Sequence, residues 1–122
     1  MLIIAKTLLP EQSRFYLALA RVFGLGPAQG LAVAEDSGVS RDARVADVRP
    51  AHVRRAVALV QERHTVGDEL RRAVRDDILR LIEARSRRGQ RHTLGLPLRG
   101  QRTHTNGQTA AKFRRHLEYD VK

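Results

Sequence analysis

The sequence predicts an all-α protein: a small helical body that contains one long helix, followed by an extended basic C-terminal tail. Three observations lead to this class. Apolar residues recur at helical spacing in four segments, and no segment shows the sustained alternation of a half-buried strand. Glycine and proline separate these segments. Further along, the chain becomes basic and poor in residues that a helix or strand would bury. We therefore divide the chain into a body at 1–88 and a tail at 89–122.

The first predicted helix covers residues 11–23. Its apolar residues recur at helical spacing and form one stripe, which consists of Phe15, Leu19, Val22 and Phe23. Gly24 follows directly, and glycine commonly ends helices because it adopts left-handed backbone conformations without strain. We expect the chain to turn at this point.

The second and third predicted helices each begin near a proline. Pro27 suits the first turn of a helix over about 27–35, and Gly38 is placed to end that helix. A connection at 39–46 leads to a third helix over about 50–63. Its inward face is formed by Val53, Val57 and Val60.

The fourth predicted helix, over about 68–86, is the longest and follows a break at 64–67. Its apolar stripe consists of Leu70, Val74, Ile78, Leu81 and Ile82. Asp68 and Glu69 in the first turn suit the positive end of the helix dipole, and basic residues near residue 86 suit the negative end. Beyond Gly89 we expect extended structure, apart from a short helix at 114–119.

Positive charge is concentrated near the C-terminus. The chain has 122 residues and a net charge of +10. Residues 1–84 contain 13 Lys/Arg and 11 Asp/Glu, a net charge of +2, whereas residues 85–122 contain 10 and 2, a net charge of +8. Arg outnumbers Lys 20 to 3, which favours bidentate phosphate contacts and stacking over diffuse attraction. This layout indicates a polyanionic partner, with nucleic acid before an acidic membrane.

Several other functions are disfavoured by the residues. The chain has no Cys, and its tail histidines are well separated in a cationic segment, so we predict no metal site and no cofactor. Asp76 and Asp77 lie among arginines, and no nucleophile, base and orienting group come together, so we predict no enzyme. No apolar run reaches membrane-spanning length, Trp is absent and aromatics make up 4%, so we predict no membrane partner.

Two motifs in the body have both a binding and a structural interpretation. Gly24-Leu25-Gly26 could direct backbone amides at an anion, as helix–hairpin–helix elements do with nucleic-acid backbones, or form a tight turn without a ligand. Arg71 and Arg72 could flank phosphates, or lie on a solvated helix face with pairs such as Arg72–Asp76. The residues alone leave both pairs of interpretations open.

The tail resembles a known family. The residues that carry the resemblance are Arg88-Gly89-Gln90-Arg91-His92, Gly95-Leu96-Pro97, Arg99-Gly100-Gln101-Arg102-Thr103 and Thr105-Asn106. In this order and spacing they look like the C-terminal segment of ribosomal protein thirteen of the small subunit. The resemblance is strongest over about 70–106, fair over 13–69 and weak after 107.

The resemblance implies a helix–two-turns–helix-like body and a structural role in the head of the small ribosomal subunit. It implies binding to small-subunit ribosomal RNA, contact with small-subunit ribosomal protein nineteen, a bridge to large-subunit ribosomal protein five, and a position near transfer RNA. Together with the residue-level reasoning it predicts these RNA-binding residues: Gly24, Leu25, Gly26, Arg71, Arg72, Arg87, Arg88, Arg91, His92, Arg99, Gln101, Arg102, Thr103, Thr105 and Asn106.

The chain departs from the family pattern after residue 107, where relatives commonly end in a dense Lys/Arg run. A divergent tail on a bacterial-type body favours a mitochondrial ribosome, with bacterial cytoplasm or plastid as alternatives. The alternative function is a free helix–two-turns–helix nucleic-acid-binding module that belongs to no ribosome.

Overall fold

A computed structural model of the chain describes the backbone of residues 2–116 and the side chains of residues 2–113. Its elements are, in chain order, β1 (Leu2–Ile4), β2 (Thr7–Leu9), α1 (Phe15–Leu19), α2 (Pro27–Asp36), a 3-10 helix (Val45–Asp47), α3 (Pro50–Arg63), α4 (Gly67–Glu83), α5 (Arg87–Leu94) and α6 (Thr103–His116). The predicted all-α class is confirmed, because the two strands contribute only three residues each. The chain forms two compact units, and the second begins at Arg71.

The first unit opens with a β-hairpin. β1 and β2 pair in antiparallel register, with Ile3 opposite Leu8. Ile4 and Leu9 turn inward and are buried, whereas Ile3 and Leu8 are exposed. The sequence predicted little or no sheet, and the hairpin is small enough to agree. The strands gave no signal of their own because their residues on both faces are almost all apolar.

One hydrophobic core holds the first unit together. Side chains from the hairpin, α1, α2 and α3 meet there, and the buried members are Ile4, Leu9, Phe15, Ala18, Leu19, Val22, Leu25, Val33, Ala34, Val39, Val45, Ala56 and Val60. Burial of this apolar set provides the main favourable term for folding. Three members of the first predicted apolar stripe are in the core, whereas its fourth, Phe23, is 44% exposed.

The first helix is shorter than predicted. α1 begins at Phe15 rather than residue 11, because Arg14 has extended backbone and forms a β-bridge with Arg44. The Phe15 N–H donates to the Ala43 carbonyl at 2.9 Å instead of entering a preceding helical turn. A long-range backbone contact of this kind leaves no local pattern in the sequence.

The second and third helices are confirmed to within one residue. Pro27 and Pro50 each lie at the start of their helix, where a missing N–H costs no intrahelical hydrogen bond. The fourth helix is confirmed but ends at Glu83 rather than residue 86. Arg85 adopts a positive φ of 53°, which is outside the helical range and ends the segment.

The predicted extended tail is wrong over two stretches, α5 and α6. Glycine and charge suggested extended structure there, but α5 has a serine N-cap at Ser86 and a left-handed C-cap at Gly95. The arginines, glutamine and leucine between them are good helix formers, and Gly89 is the one residue of α5 with a strongly unfavourable propensity. Only residues 95–102 lack regular structure as expected. α6 covers the start of the short helix predicted at 114–119, and residues 117–119 lie outside the described part of the chain.

Candidate nucleic-acid interface

Ser86 joins α4 to α5 in the second unit. Its hydroxyl donates a hydrogen bond to the Leu81 carbonyl at 2.9 Å and accepts one from the Gly89 N–H at 3.0 Å. The side chain therefore satisfies a carbonyl at the end of α4 and an amide at the start of α5. This single residue fixes the turn between the two helices.

Gly89 lets α5 lie directly against the end of α4. A Cβ built on Gly89 would lie 2.6 Å from the carbonyl carbon of Leu81 and 2.8 Å from the Cα of Ile82. Both atoms are backbone, so neither can move aside without shifting a helix. Gly89 therefore serves close approach between two helices of the same chain.

The C-terminal end of α5 is closed by a compact loop. Gly95 has a φ of 69° and donates its N–H to the His92 carbonyl at 3.1 Å. The Leu96 N–H donates to the Arg91 carbonyl at 3.0 Å, and the Arg91 Nε–H donates to the Pro97 carbonyl at 2.9 Å. Gly95 and Pro97 are buried. The loop therefore has a defined path although it has no regular structure.

Four of the predicted RNA-binding arginines from α5 to the start of α6 are exposed: Arg87, Arg88, Arg99 and Arg102. We call them the exposed arginine set. Within the described side chains none of them takes part in an ion pair. Between Glu83 and Glu118 the sequence holds no carboxylate that could neutralise them. Unpaired guanidinium groups of this density are suited to phosphate oxygens.

The other predicted residues of the region differ in exposure. Gln101, Thr103 and Thr105 are exposed, whereas Arg91, His92 and Asn106 are half-buried. Asn106 donates its side-chain amide to the Arg102 carbonyl at 2.9 Å, which ties the first turn of α6 to the preceding arginine. Gln101, Thr103 and Thr105 are thus accessible to a ligand, whereas the neighbouring Asn106 makes a structural hydrogen bond.

His92 has an altered ionisation. Burial is the first cause and the nearby Arg88 guanidinium the second, and both lower the pKa of the imidazole below its ordinary 6.5. The ring is therefore neutral at pH 7. A neutral imidazole carries both a hydrogen-bond donor and an acceptor, so His92 can pair with a hydroxyl as well as stack on a base.

The predicted arginines of α4 are placed on its surface. Arg71 and Arg72 are both exposed, and the pair that the sequence suggested between Arg72 and Asp76 does not form. Arg80 pairs with Asp77 instead, at 3.4 Å. The ion-pair interpretation therefore does not account for Arg72.

The glycine turn lies in the first unit and is partly explained by packing. Gly24 has a φ of 104°, and a Cβ there would lie 2.8 Å from Leu70 Cδ2 and 2.9 Å from the Thr65 carbonyl oxygen. Leu25 is 6% exposed and belongs to the core. Gly26 has open space around it and donates its N–H to Gln29 Oε1 at 3.2 Å. Any contact of this turn with a ligand would therefore involve backbone.

Other kinds of site find no support in the described residues. Among their side chains no group of three or more His, Cys, Asp or Glu is placed to hold a metal ion. No helix in the described range is long and apolar enough to cross a membrane.

Sequence reasoning missed Ser86 and the carbonyl of Pro97, which organise the region. Ser86 carried a detectable signal, since serine is a favoured N-cap and Gly95 a favoured C-cap nine residues later. The Pro97 carbonyl carried none, because a backbone acceptor is the same at every residue.

The comparison with known proteins decides the family. A family model described as "Ribosomal protein S13/S18" matches residues 3–109. The chain belongs to the ribosomal protein S13 family. The matched range begins within β1, includes the glycine turn and all of α5, and ends within α6. The departure inferred from the sequence after residue 107 agrees with this end point.

Relatives of the S13 family come from an organelle and from bacteria. The chain is 38% identical to "Small ribosomal subunit protein uS13m" of Marchantia polymorpha over 108 residues, which are 88% of this chain and 90% of the relative. It is 40% identical to "Small ribosomal subunit protein uS13" of Chlamydia trachomatis serovar L2 over 101 residues, 83% of each chain. The relatives named here are ribosomal subunit proteins, in agreement with the prediction that the chain is not an enzyme.

Proposed function

We propose that this S13-family chain is a structural component of the small ribosomal subunit that binds small-subunit ribosomal RNA through its second unit. The observation that carries the proposal is the exposed arginine set, which no carboxylate in the described region neutralises. A folded protein gains little from holding four such charges close together along the chain unless a polyanion joins them.

The chemistry of binding follows from these side chains. Each guanidinium that replaces a condensed counterion on a phosphate contributes to affinity through counterion release. Arg87 and Arg88 lie in the first turn of α5, whereas Arg99 and Arg102 lie in the loop between α5 and α6. Such an arrangement recognises the shape and phosphate path of folded RNA rather than a base sequence.

The remaining predicted residues have secondary roles in this proposal. Gln101, Thr103 and Thr105 offer neutral donors and acceptors for phosphates and 2′-hydroxyls, and the neutral His92 does the same. Arg71 and Arg72 extend the positive charge along α4. Gly24, Leu25 and Gly26 would contribute backbone amides only.

The finer assignments of the proposal concern place and neighbours. We propose a position in the subunit head, with small-subunit ribosomal protein nineteen and large-subunit ribosomal protein five as protein neighbours and transfer RNA nearby. We propose a mitochondrial ribosome, since the divergent C-terminus sits on a bacterial-type body. The identities of 38% and 40% to the organellar and bacterial relatives do not separate the compartments.

A salt titration with ribosomal RNA tests the proposed binding. The full chain is titrated with the 3′ domain of small-subunit ribosomal RNA, and with duplex DNA of equal charge, at several salt concentrations. Replacing Arg88 and Arg102 with Gln is expected to reduce the slope of log K against log salt by about 1.5, at roughly 0.7–0.9 for each lost phosphate contact.

The matched control replaces Arg54 and Arg55 with Gln. Both are exposed on α3 in the first unit, and the double change removes the same net charge. The control is expected to change the slope by less than half as much. Equal effects of the two double variants would contradict binding through the second unit. Equal affinity for RNA and DNA would favour a free nucleic-acid-binding module instead.

A further inference from the structure

Arg91 holds the loop that follows α5 at two points. Its backbone carbonyl accepts the Leu96 N–H at 3.0 Å, and its Nε–H donates to the Pro97 carbonyl at 2.9 Å. Arg91 is half-buried, unlike Arg87 and Arg88 one turn earlier. Arg91 of the helix is therefore hydrogen-bonded to two consecutive residues of the loop, Leu96 and Pro97.

The second of these contacts sets the direction in which the chain leaves the loop. Pro97 is buried, its φ is fixed by its ring, and its carbonyl is held by Arg91. Arg99 follows two residues later, and Gly100 beyond it has a φ of 68° with open space around it. Among the described residues the other side-chain hydrogen bond in this stretch joins Asn106 to the Arg102 carbonyl, so without the Arg91 contact the path from Pro97 to Arg99 would have no side-chain hydrogen bond to hold it.

We propose that Arg91 is a positioning residue for RNA binding, which acts by holding the Pro97 carbonyl so that Arg99, Gln101 and Arg102 are presented in one arrangement. The proposal rests on the RNA binding proposed above and deepens it. It assigns to Arg91 a role different from that of the exposed arginine set. The contribution of Arg91 lies in an N–H at one position rather than in its charge.

Two substitutions separate the donor of Arg91 from its charge. In Arg91→Gln the side-chain amide nitrogen is the same number of bonds from Cα as Nε, so a donor is kept while the charge is lost. In Arg91→Lys the charge is kept, but a methylene replaces Nε and the ammonium lies one atom further out. Gln and Lys have similar helix propensities, so α5 itself is affected equally.

The full-length variants are compared for affinity to the ribosomal RNA 3′ domain at fixed salt. A positioning role predicts that Arg91→Gln stays within about threefold of the wild type and that Arg91→Lys binds about tenfold more weakly, the loss expected for one hydrogen bond from a charged group. A phosphate ligand gives the opposite order. Any result in which Gln fails to bind more tightly than Lys overturns the proposal.

The matched control is the same pair of substitutions at Arg88, which is exposed on the same helix and makes no such bond among the described residues. At this position Arg88→Lys is expected to bind RNA more tightly than Arg88→Gln, because lysine keeps the positive charge that attracts phosphate. The reversal of order between the two positions is the signature of a positioning residue. The same order at both positions would overturn the proposal.

A measurement without RNA separates this proposal from the proposed function. Solvent exchange of the arginine Nε–H protons is followed by NMR in the free full-length chain. The Arg91 proton is expected to exchange at least about tenfold more slowly than that of Arg88, because it is held in a hydrogen bond. Fast exchange at Arg91 would overturn the positioning role. A protected Arg91 in a chain that binds no ribosomal RNA would contradict the proposed function, while the hydrogen bond by which Arg91 holds the loop would still stand.

Discussion

His92 shows how a single residue links the fold to pH. Burial and the neighbouring Arg88 lower its pKa in the folded chain, so the folded state holds a proton on this ring less tightly than the unfolded state does. Below the unfolded value of about 6.5 the unfolded state therefore binds more protons. The contribution of His92 to stability is complete above that pH and is lost as the pH falls through the folded pKa.

Replacing His92 with Gln should therefore flatten the pH dependence of stability. Denaturant unfolding is measured for the wild type and for His92→Gln at pH 7.5 and pH 5.5. The wild type is expected to lose more stability between these values than the variant does. His104→Gln, at an exposed position on α6, serves as the matched control. Identical losses for the wild type and His92→Gln would contradict the assigned ionisation.

The same residue predicts a pH dependence of RNA binding. Phosphates brought close to the imidazole favour its protonated form and oppose the lowering of its pKa by burial and Arg88, so binding should take up a proton as the pH falls. Affinity for the RNA 3′ domain is expected to rise as the pH falls from 7.5 to 5.5, and this rise should be smaller in His92→Gln. An equal rise in both proteins would place the proton uptake elsewhere.

A further prediction at the scale of a residue concerns Gly89. Gly89→Ala places a methyl group against the backbone of Leu81 and Ile82, so α5 must shift. Overpacking of this kind costs about 1–3 kcal/mol, and we expect a loss of stability in that range together with weaker RNA binding. The readouts are denaturant unfolding and RNA affinity.

Gly107→Ala is the matched control for Gly89→Ala. Gly107 also lies within a helix, but a Cβ there has nothing within 4 Å. The substitution is expected to stabilise α6 by about 0.5–1 kcal/mol, because alanine loses less backbone entropy than glycine. A loss of stability at residue 107 equal to that at residue 89 would show that the close contact is not the cause.

At the scale of elements, prediction from sequence succeeded where signals were local. α2 and α3 were located to within one residue because proline marks the start of each and the apolar spacing marks the face. α5 was missed because the segment beyond Gly89 is basic and poor in apolar residues, which predicted extended structure, whereas Gly89 lies against the backbone of the preceding helix. The predicted first helix began four residues too early because Arg14 pairs with Arg44, thirty residues away.

The candidate site was predicted in part for the same reason. Charge and motif indicated the exposed arginine set, because unpaired positive charge is visible in a sequence. The sequence did not show that Arg88 is exposed while Arg91 holds the loop, because this difference depends on which arginine donates to the Pro97 carbonyl. Leu25 was predicted as a contact residue, but its side chain belongs to the core.

Ser86 makes the prediction at the scale of an element. Ser86→Ala removes the two side-chain hydrogen bonds that Ser86 makes to α4 and α5 and leaves its backbone N–H bond to the Leu81 carbonyl, and loss of a serine N-cap costs about 1 kcal/mol. We expect faster amide exchange at Gly89 and Gln90, with unchanged exchange in α2. Ser86→Thr, which keeps a hydroxyl, should restore protection. Equal exchange in the wild type and Ser86→Ala would show that α5 does not depend on this cap.

At the scale of the whole molecule, charge is divided between the two units. Residues 1–70 contain 9 Lys/Arg and 8 Asp/Glu, a net charge of +1, while residues 71–122 contain 14 and 5, a net charge of +9. The core belongs to the nearly neutral part, and the charge belongs to the part that begins on α4. This division agrees with a protein in which one unit supplies a folded platform and the other meets a polyanion.

Sedimentation of a native mitochondrial lysate from the source organism tests directly whether the chain is a component of the small ribosomal subunit. The chain is followed by mass spectrometry across gradients run at high and low magnesium. A component of the small subunit is expected to move with the intact ribosome at high magnesium and with the small subunit alone at low magnesium. Recovery of the chain only at the top of both gradients would contradict its assignment to the small ribosomal subunit.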